Sequence, residues 1–325
     1  MTKEESTLPA VFSLLQTEPL LEAVADAYGI EGAVRATLLR SWTNDVYQIE
    51  AKAQRYILKV YRRGWRSPEE VGWEVELQSY LAARAIAAPV IPRRDGGLFG
   101  TVQAPEGVRA LALFGYASGV KPEPPLTPAL YHSFGRGAAE LHRASADFTS
   151  QCSRFAIDLA ALIDRPLGVI QPWLADRPED WSFIVQVATT VREKLHARGT
   201  ADLDWGVVQG DLSLDNVHVT ADHRVVFYDF DAAAYGWRAW DVTGVRAYQP
   251  RENWDAFLAG YREVRSFGEA DVAVVPYFVV ANALQMMAGE IERWTAWFGT
   301  LRVVAWVNDT LIWLRHWVTN YLPAA

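Results

Sequence analysis

Between two apolar ends, the stretch VVQGDLSLDNVHV (207–219) holds two aspartates and an asparagine. Asp211 and Asn216 stand five positions apart. That spacing recurs where a carboxylate faces a hydroxyl nucleophile and an amide oxygen faces a metal ion. The apolar flanks read as strands, which would hold the acidic loop rigidly between them. Asp229 follows Asn216 by thirteen positions, at the end of the apolar run 225–228. A carboxylate there emerges at the mouth of a sheet rather than in its core. A two-strand hairpin of that length brings its ends together, so Asp211, Asn216 and Asp229 are expected in one cleft. Three oxygen donors with little cationic compensation repel one another, and a hard cation such as Mg²⁺ relieves this.

A complement lies earlier in the chain. Lys59 sits in YILKVY with apolar residues on both sides. An inward lysine needs an anionic partner, because burying an unpaired ammonium is costly. Glu74, fifteen positions on in a predicted helix, is the natural partner and leaves the ammonium oriented toward a phosphate. Glu76 is close by, but two helical positions turn about 200°, so only one of the two can face the cleft. Backbone groups from Phe114 to Tyr116 suit an adenine edge. Plainer readings exist: an aspartate after a strand often serves a turn, and a strand lysine can guard a sheet edge. Asp231 reads equally as a second metal contact or as a brace for its loop.

In this order the parts resemble the aminoglycoside phosphotransferase and choline kinase superfamily, which shares the protein-kinase fold. The family's HGDxxxxN loop corresponds to Gln209-Gly210-Asp211 through Asn216, and its metal-binding aspartate to Asp229 in DFD. Its strand lysine and helix glutamate correspond to Lys59 and Glu74, the latter selected over Glu76 by the family register. A further, structural aspartate corresponds to Asp241 in WRAWDV. NDVYQI, YILKVYR and the RDGGLFG hairpin look most like the branch holding type II homoserine kinases and the bacterial stress-response serine/threonine kinase. The resemblance implies in-line phosphoryl transfer from ATP. Asp211 would accept the proton of a hydroxyl, Asn216 and Asp229 would hold Mg²⁺, and Lys59 would neutralise phosphate charge. Two positions depart from the family: Gln209 and Ser213 stand where histidines are usual. The nucleotide loop SWTND lacks glycines, so its phosphate contacts would come from backbone N–H groups and the Ser41 hydroxyl.

The elements that must position these groups follow from periodicity and punctuation. A helix is expected over 14–28, stopped by Gly29. Strands are expected over 36–41, 46–50 and 56–61, then a helix over 68–85, the short stretch 90–92, and further strands at 98–102 and 109–114. The segment GYASGVKPEPPLTP (115–128) breaks both periodicities, so the domain boundary is placed there. The expected architecture is α+β and bilobal. A nucleotide-binding N-lobe (1–115) carries an antiparallel sheet, and a mainly helical C-lobe (116–325) carries the catalytic loop and acceptor site. In the last helix Trp306, Thr310, Trp313 and Trp317 fall on one face, which reads as core.

Bulk properties bound the function. The chain has 325 residues, half of them apolar, with a formal net charge of −8. No global positive field favours nucleic acid or an anionic membrane. Arg55, Lys59, Arg62, Arg63 and Arg66 make a local basic stretch. Cys152 is the single cysteine, which fits a reducing compartment. The start lacks a basic and then apolar leader pattern, and the expectation is a cytoplasmic protein. The uncharged run 272–289 reads as a buried helix rather than a span. HExxH, CxxC and Walker-type motifs do not occur, so zinc and P-loop chemistry have no support. Three functions stay open: a kinase of a small-molecule hydroxyl, a protein kinase using the same site, and a nucleotide-binding pseudokinase.

Overall fold

The computed structural model describes residues 10–52, 54–197, 203–297 and 300–322. The first nine residues and the middle of the polar turn at 53 lie outside them. Two compact units emerge. The first comprises residues 1–120, 147–154 and 217–231; the second comprises 121–146, 155–216 and 232–325.

The first unit opens with helix α1 (Thr17–Tyr28), stopped by Gly29 in the left-handed region at φ 69°. Strands β1 (Ala33–Ser41), β2 (Asn44–Ala51) and β3 (Gln54–Tyr61) follow, then helix α2 (Pro68–Ala82). Strands β4 (Val90–Ile91), β5 (Gly100–Ala104) and β6 (Gly107–Gly115) complete a six-stranded sheet in the order β1-β2-β3-β6-β4, with β5 also on β6. Every pairing is antiparallel. The strand period of two sorts β3 between its faces. Leu58 and Val60 pack with Leu20 and Val24 of α1. Tyr61 and Ile57 pack with Val71 and Val75 of α2. Lys59 shares the second face. Helix α2 begins with a capping box in which Ser67 and Glu70 satisfy each other's backbone N–H groups, and Pro68 occupies its first turn. It ends at Ala82, short of the expected 85, because Ala85 turns to φ 59°. The segment 147–154 covers the far side of α2, where Phe148 meets Trp73 edge to face at 5.5 Å.

The second unit carries α3 (Pro128–Ala144), β7 (Ala156–Ile157), α4 (Arg165–Ile170), α5 (Pro178–Ala197) and β8 (Trp205–Val208). The hairpin β9 (Val217–Val219) and β10 (Val225–Phe227) returns to the first unit, where Ala88 and Ile86 bond the backbone of Phe227. Strand β11 (Ala234–Trp237) then joins β7 and β8 in a three-stranded sheet. Helices α6 (Arg238–Asp241), α7 (Thr243–Tyr248), α8 (Arg251–Val264), α9 (Glu269–Trp297) and α10 (Leu301–Tyr321) complete the unit. Helix α9 is long and apolar enough to cross a membrane, but 61% of that window is buried within the protein. The seam of α10 runs along Val303, Val307, Thr310, Leu314 and Trp317. Trp306 and Trp313, expected on it, flank it instead and are only partly buried.

Candidate active site

In the first unit, Lys59 and Glu74 meet as sequence spacing predicts. Lys59 Nζ donates to Glu74 Oε1 at 2.8 Å and to Asp229 Oδ1 at 2.9 Å. Lys59 and Glu74 are buried, with 4% and 0% of their surface exposed. Burial pulls the ammonium's pKa down, but Asp229 and Glu74 outweigh it, so Lys59 stays charged. Burial pushes the Glu74 carboxyl above its ordinary value despite Lys59. Burial also acts on Asp229, yet Lys59 and Arg40 hold its carboxyl below the usual range. Asp229 follows β10 in the left-handed region at φ 59°, a conformation that non-glycine residues seldom adopt. Glu76 turns the other way, as helix phase requires, and accepts from Ser150 Oγ at 2.5 Å.

Asp231 is a brace. Its carboxylate accepts from Trp65 Nε1 at 2.7 Å and Arg66 Nε at 3.3 Å, while its carbonyl takes Arg66 Nη2 at 2.8 Å and also Arg154. Ser41 lies at the end of β1, where its Oγ donates to Asp45 Oδ1 at 2.6 Å. Phe114 sits in the core against α2. The N–H of Gly115 is given to Pro89 O at 2.8 Å and that of Tyr116 to Arg55 O at 3.3 Å, so these two donors serve the fold first.

In the second unit the acidic loop is held from below. Gly210 adopts φ 85°, and a Cβ there would fall 2.0 Å from Ala232 O, so the tight turn requires glycine. Asp241 accepts the N–H groups of Gln209 and Gly210, both at 2.8 Å. His142 Nε2 reaches the same carboxylate at 2.8 Å, and its Nδ1 accepts from Tyr261 Oη at 2.8 Å. Burial lowers the His142 pKa against the pull of Asp241, which matches a neutral ring with one donating and one accepting nitrogen. Gln209 stands where the family has histidine, and its Oε1 accepts the Asp211 N–H at 2.8 Å. Asn216 Nδ2 donates to the Asp211 carbonyl at 3.0 Å and to Asp211 Oδ2 at 2.8 Å. The amide NH₂ is thereby engaged, and its oxygen is the atom left to face a cation. An ionised aspartate and an amide oxygen are donors of the kind Mg²⁺ accepts alongside substrate phosphates. Asp211 is exposed and lines a cavity of about 440 Å³ with Tyr131, Trp240, Tyr248 and Asp215.

Sequence reasoning missed two groups. Arg40 Nη2 donates to Asp229 Oδ2 at 2.6 Å. Arg109 is fully buried and donates to Asp45 Oδ2 at 2.6 Å, which fixes the loop that carries Ser41. An arginine within the apolar strand VRALALF was the available signal for the second.

Among solved structures, that of a microcompartment-associated aminopropanol kinase aligns with TM-score 0.70 at 23% identity, covering 93% of this chain and 97% of that one. An amicoumacin kinase in complex with AMP-PNP, Ca²⁺ and Ami aligns with TM-score 0.68 at 19% identity, covering 91% and 93%. The shared architecture is the kinase-like fold, an antiparallel N-terminal sheet with a helical C-terminal part. An uncharacterized protein of Deinococcus radiodurans is 38% identical over 307 residues, 90% of this chain and 87% of the relative. A homoserine kinase of Brucella anthropi is 28% identical over 261 residues, 77% and 76% respectively. The model of the APH phosphotransferase enzyme family matches residues 35–274, and the chain belongs to that family. It is a phosphotransferase acting on a hydroxyl group.

Proposed function

We propose that the protein transfers the γ-phosphate of ATP to the hydroxyl of a small, cationic alcohol. The observation that carries this reading is the buried Lys59, fixed at 2.8 Å by Glu74 and at 2.9 Å by Asp229. An ammonium held in this way meets phosphate without reorganising, which is where electrostatic catalysis gains most. Ser41 and the hinge around Phe114 and Tyr116 are assigned to the nucleotide. Asp229 and Asn216 would hold Mg²⁺, which would neutralise charge on the phosphates. Asp211 orients the acceptor hydroxyl and takes its proton, and Asn216 keeps the carboxylate aimed. The amicoumacin kinase complex with AMP-PNP and Ca²⁺ supports a nucleotide and a divalent cation.

The acceptor follows from the cavity beside Asp211. Its lining holds Asp211, Asp215 and Asp241 with several aromatic rings, and no Lys, Arg or His. Lys121 Nζ lies 3.0 Å from Asp215 Oδ1 and offsets its charge, which leaves Asp211, Asp241 and the ring faces to favour an ammonium over a carboxylate. This supports an amino alcohol, as the aminopropanol kinase's name suggests, over homoserine itself. A volume of about 440 Å³ suits a small molecule better than a peptide.

The test is ATP consumption against a panel of amino alcohols, homoserine, aminoglycosides and a generic protein. We expect turnover with a cationic alcohol and a fall of about 10²–10⁴ in Asp211→Asn, the range for a lost general base. Turnover with homoserine alone would overturn the acceptor assignment. Unchanged turnover in Asp211→Asn would overturn the base assignment.

A further inference from the structure

Asp229 carries two cations, and they are held very differently. Lys59 is buried and tied to Glu74 as well. The Arg40 side chain is 57% exposed, against 23% for Asp229. An ion pair so open to water is weak and easily exchanged. Strand β1 is also built to aim this side chain. Leu38 pairs with Tyr47 and Arg40 with Val46, so Leu39 is one residue too many and the strand bulges there. Bulges redirect side chains next to functional sites. Here the bulge directs a guanidinium to the carboxylate assigned to the metal.

Lys59, Glu74, Asp229 and Arg40 form a neutral quartet. A divalent cation on Asp229 would compete for its lone pairs with Arg40 and Lys59 and repel their positive charges, so loading Asp229 favours the departure of the more weakly held partner. Lys59 is anchored by Glu74; Arg40 is the partner able to leave. Its planar fork then matches phosphate oxygens in a bidentate way that an ammonium cannot.

We propose that Arg40 is a phosphate-binding residue held in reserve on Asp229: it releases that carboxylate to the metal and closes on the nucleotide's phosphates. The proposal rests on the nucleotide reading above. Arg40 thereby keeps the cation-binding carboxylate neutralised in the empty protein and adds a positive charge to the phosphates in the loaded one.

The test is calorimetric binding of AMP-PNP with Mg²⁺, and of adenosine, to the wild type and to Arg40→Met. The exposed position spares the fold, and unchanged melting temperatures check this. AMP-PNP should bind about tenfold more weakly to the variant, the order expected for one charge-assisted contact. Adenosine, which lacks phosphates, should bind equally to both. Equal AMP-PNP affinity in the two proteins would overturn the role of Arg40 while leaving the nucleotide reading intact. A parallel loss for adenosine would mark Arg40 as merely structural and also overturn the role. Absence of AMP-PNP binding to the wild type would overturn the nucleotide reading and the proposal with it.

Discussion

Lys59 shows how far one side chain's position can be argued from its neighbours. The alternation of YILKVY puts Leu58 and Val60 on one face and Lys59 on the other, and a buried ammonium demands the carboxylate that Glu74 supplies at 2.8 Å. The pair is costly to break from one side. Lys59→Met leaves Glu74 buried beside Asp229 without its cation, and we expect a loss of about 3–5 kcal/mol in urea denaturation. Lys59→Met with Glu74→Leu removes both charges from the buried pair and should regain much of that stability. Phosphoryl transfer should stay abolished in both variants. A double variant no more stable than the single would mean that the pair is not the source of the loss. Glu74 as a partner of Lys59 was legible because buried charge permits few solutions. Arg40 was not, because its aim depends on one bulged residue that leaves no mark on composition.

At the scale of elements, the loop 209–216 depends on two helices that cross without side chains between them. A Cβ at Gly135 of α3 would lie 2.0 Å from Phe257 O, and one at Gly260 of α8 would lie 2.0 Å from His132 O. The crossing brings His142 of α3 to Tyr261 of α8, and His142 in turn holds Asp241 beneath the loop. Gly260→Ala must push the helices apart, and we expect a loss of about 1–3 kcal/mol or more, the range for overpacking. Gly168→Ala in α4 has nothing within 4 Å of the added carbon and is the control. It should gain about 0.5–1 kcal/mol from helix propensity. Urea midpoints measure both. If the two variants behave alike, close backbone approach is not what holds α3 to α8. Helices were legible from period and caps. The glycine-mediated crossing was not, since a glycine in a helix looks the same whether it meets water or another backbone.

For the whole molecule, stability is tied to pH through His142. Burial holds its folded pKa below the ordinary histidine value, about 6.5 in the unfolded chain. As pH falls below that value the unfolded chain takes up the proton first. The contribution of the neutral ring is therefore complete above about pH 6.5 and is lost progressively as pH falls toward the folded pKa. Melting temperature should drop between pH 7 and pH 5. His142→Gln, which can still donate to Asp241, should flatten that slope. An identical slope in the variant would place the pH dependence elsewhere. The chain's division into units is a property of this same scale. A boundary read along the sequence is a single cut, whereas contacts assign 147–154 and 217–231 to the first unit. Their packing partners, α2 for the one and the 86–88 and 117–120 segments for the other, are remote in sequence.

Local chemistry was determined by the sequence itself. Strand and helix periods, the capping box at Ser67, the glycine stop after α1, and the pairing of one buried lysine with one buried glutamate all follow from near neighbours and from the cost of burying charge. Tertiary structure alone decided which groups share a carboxylate. Lys59 and Arg40 meet on Asp229, Trp65 and Arg66 meet on Asp231, and His142 meets two backbone N–H groups on Asp241. Those meetings depend on how distant segments pack and on single-residue shifts in register, which the order of residues along a chain does not display.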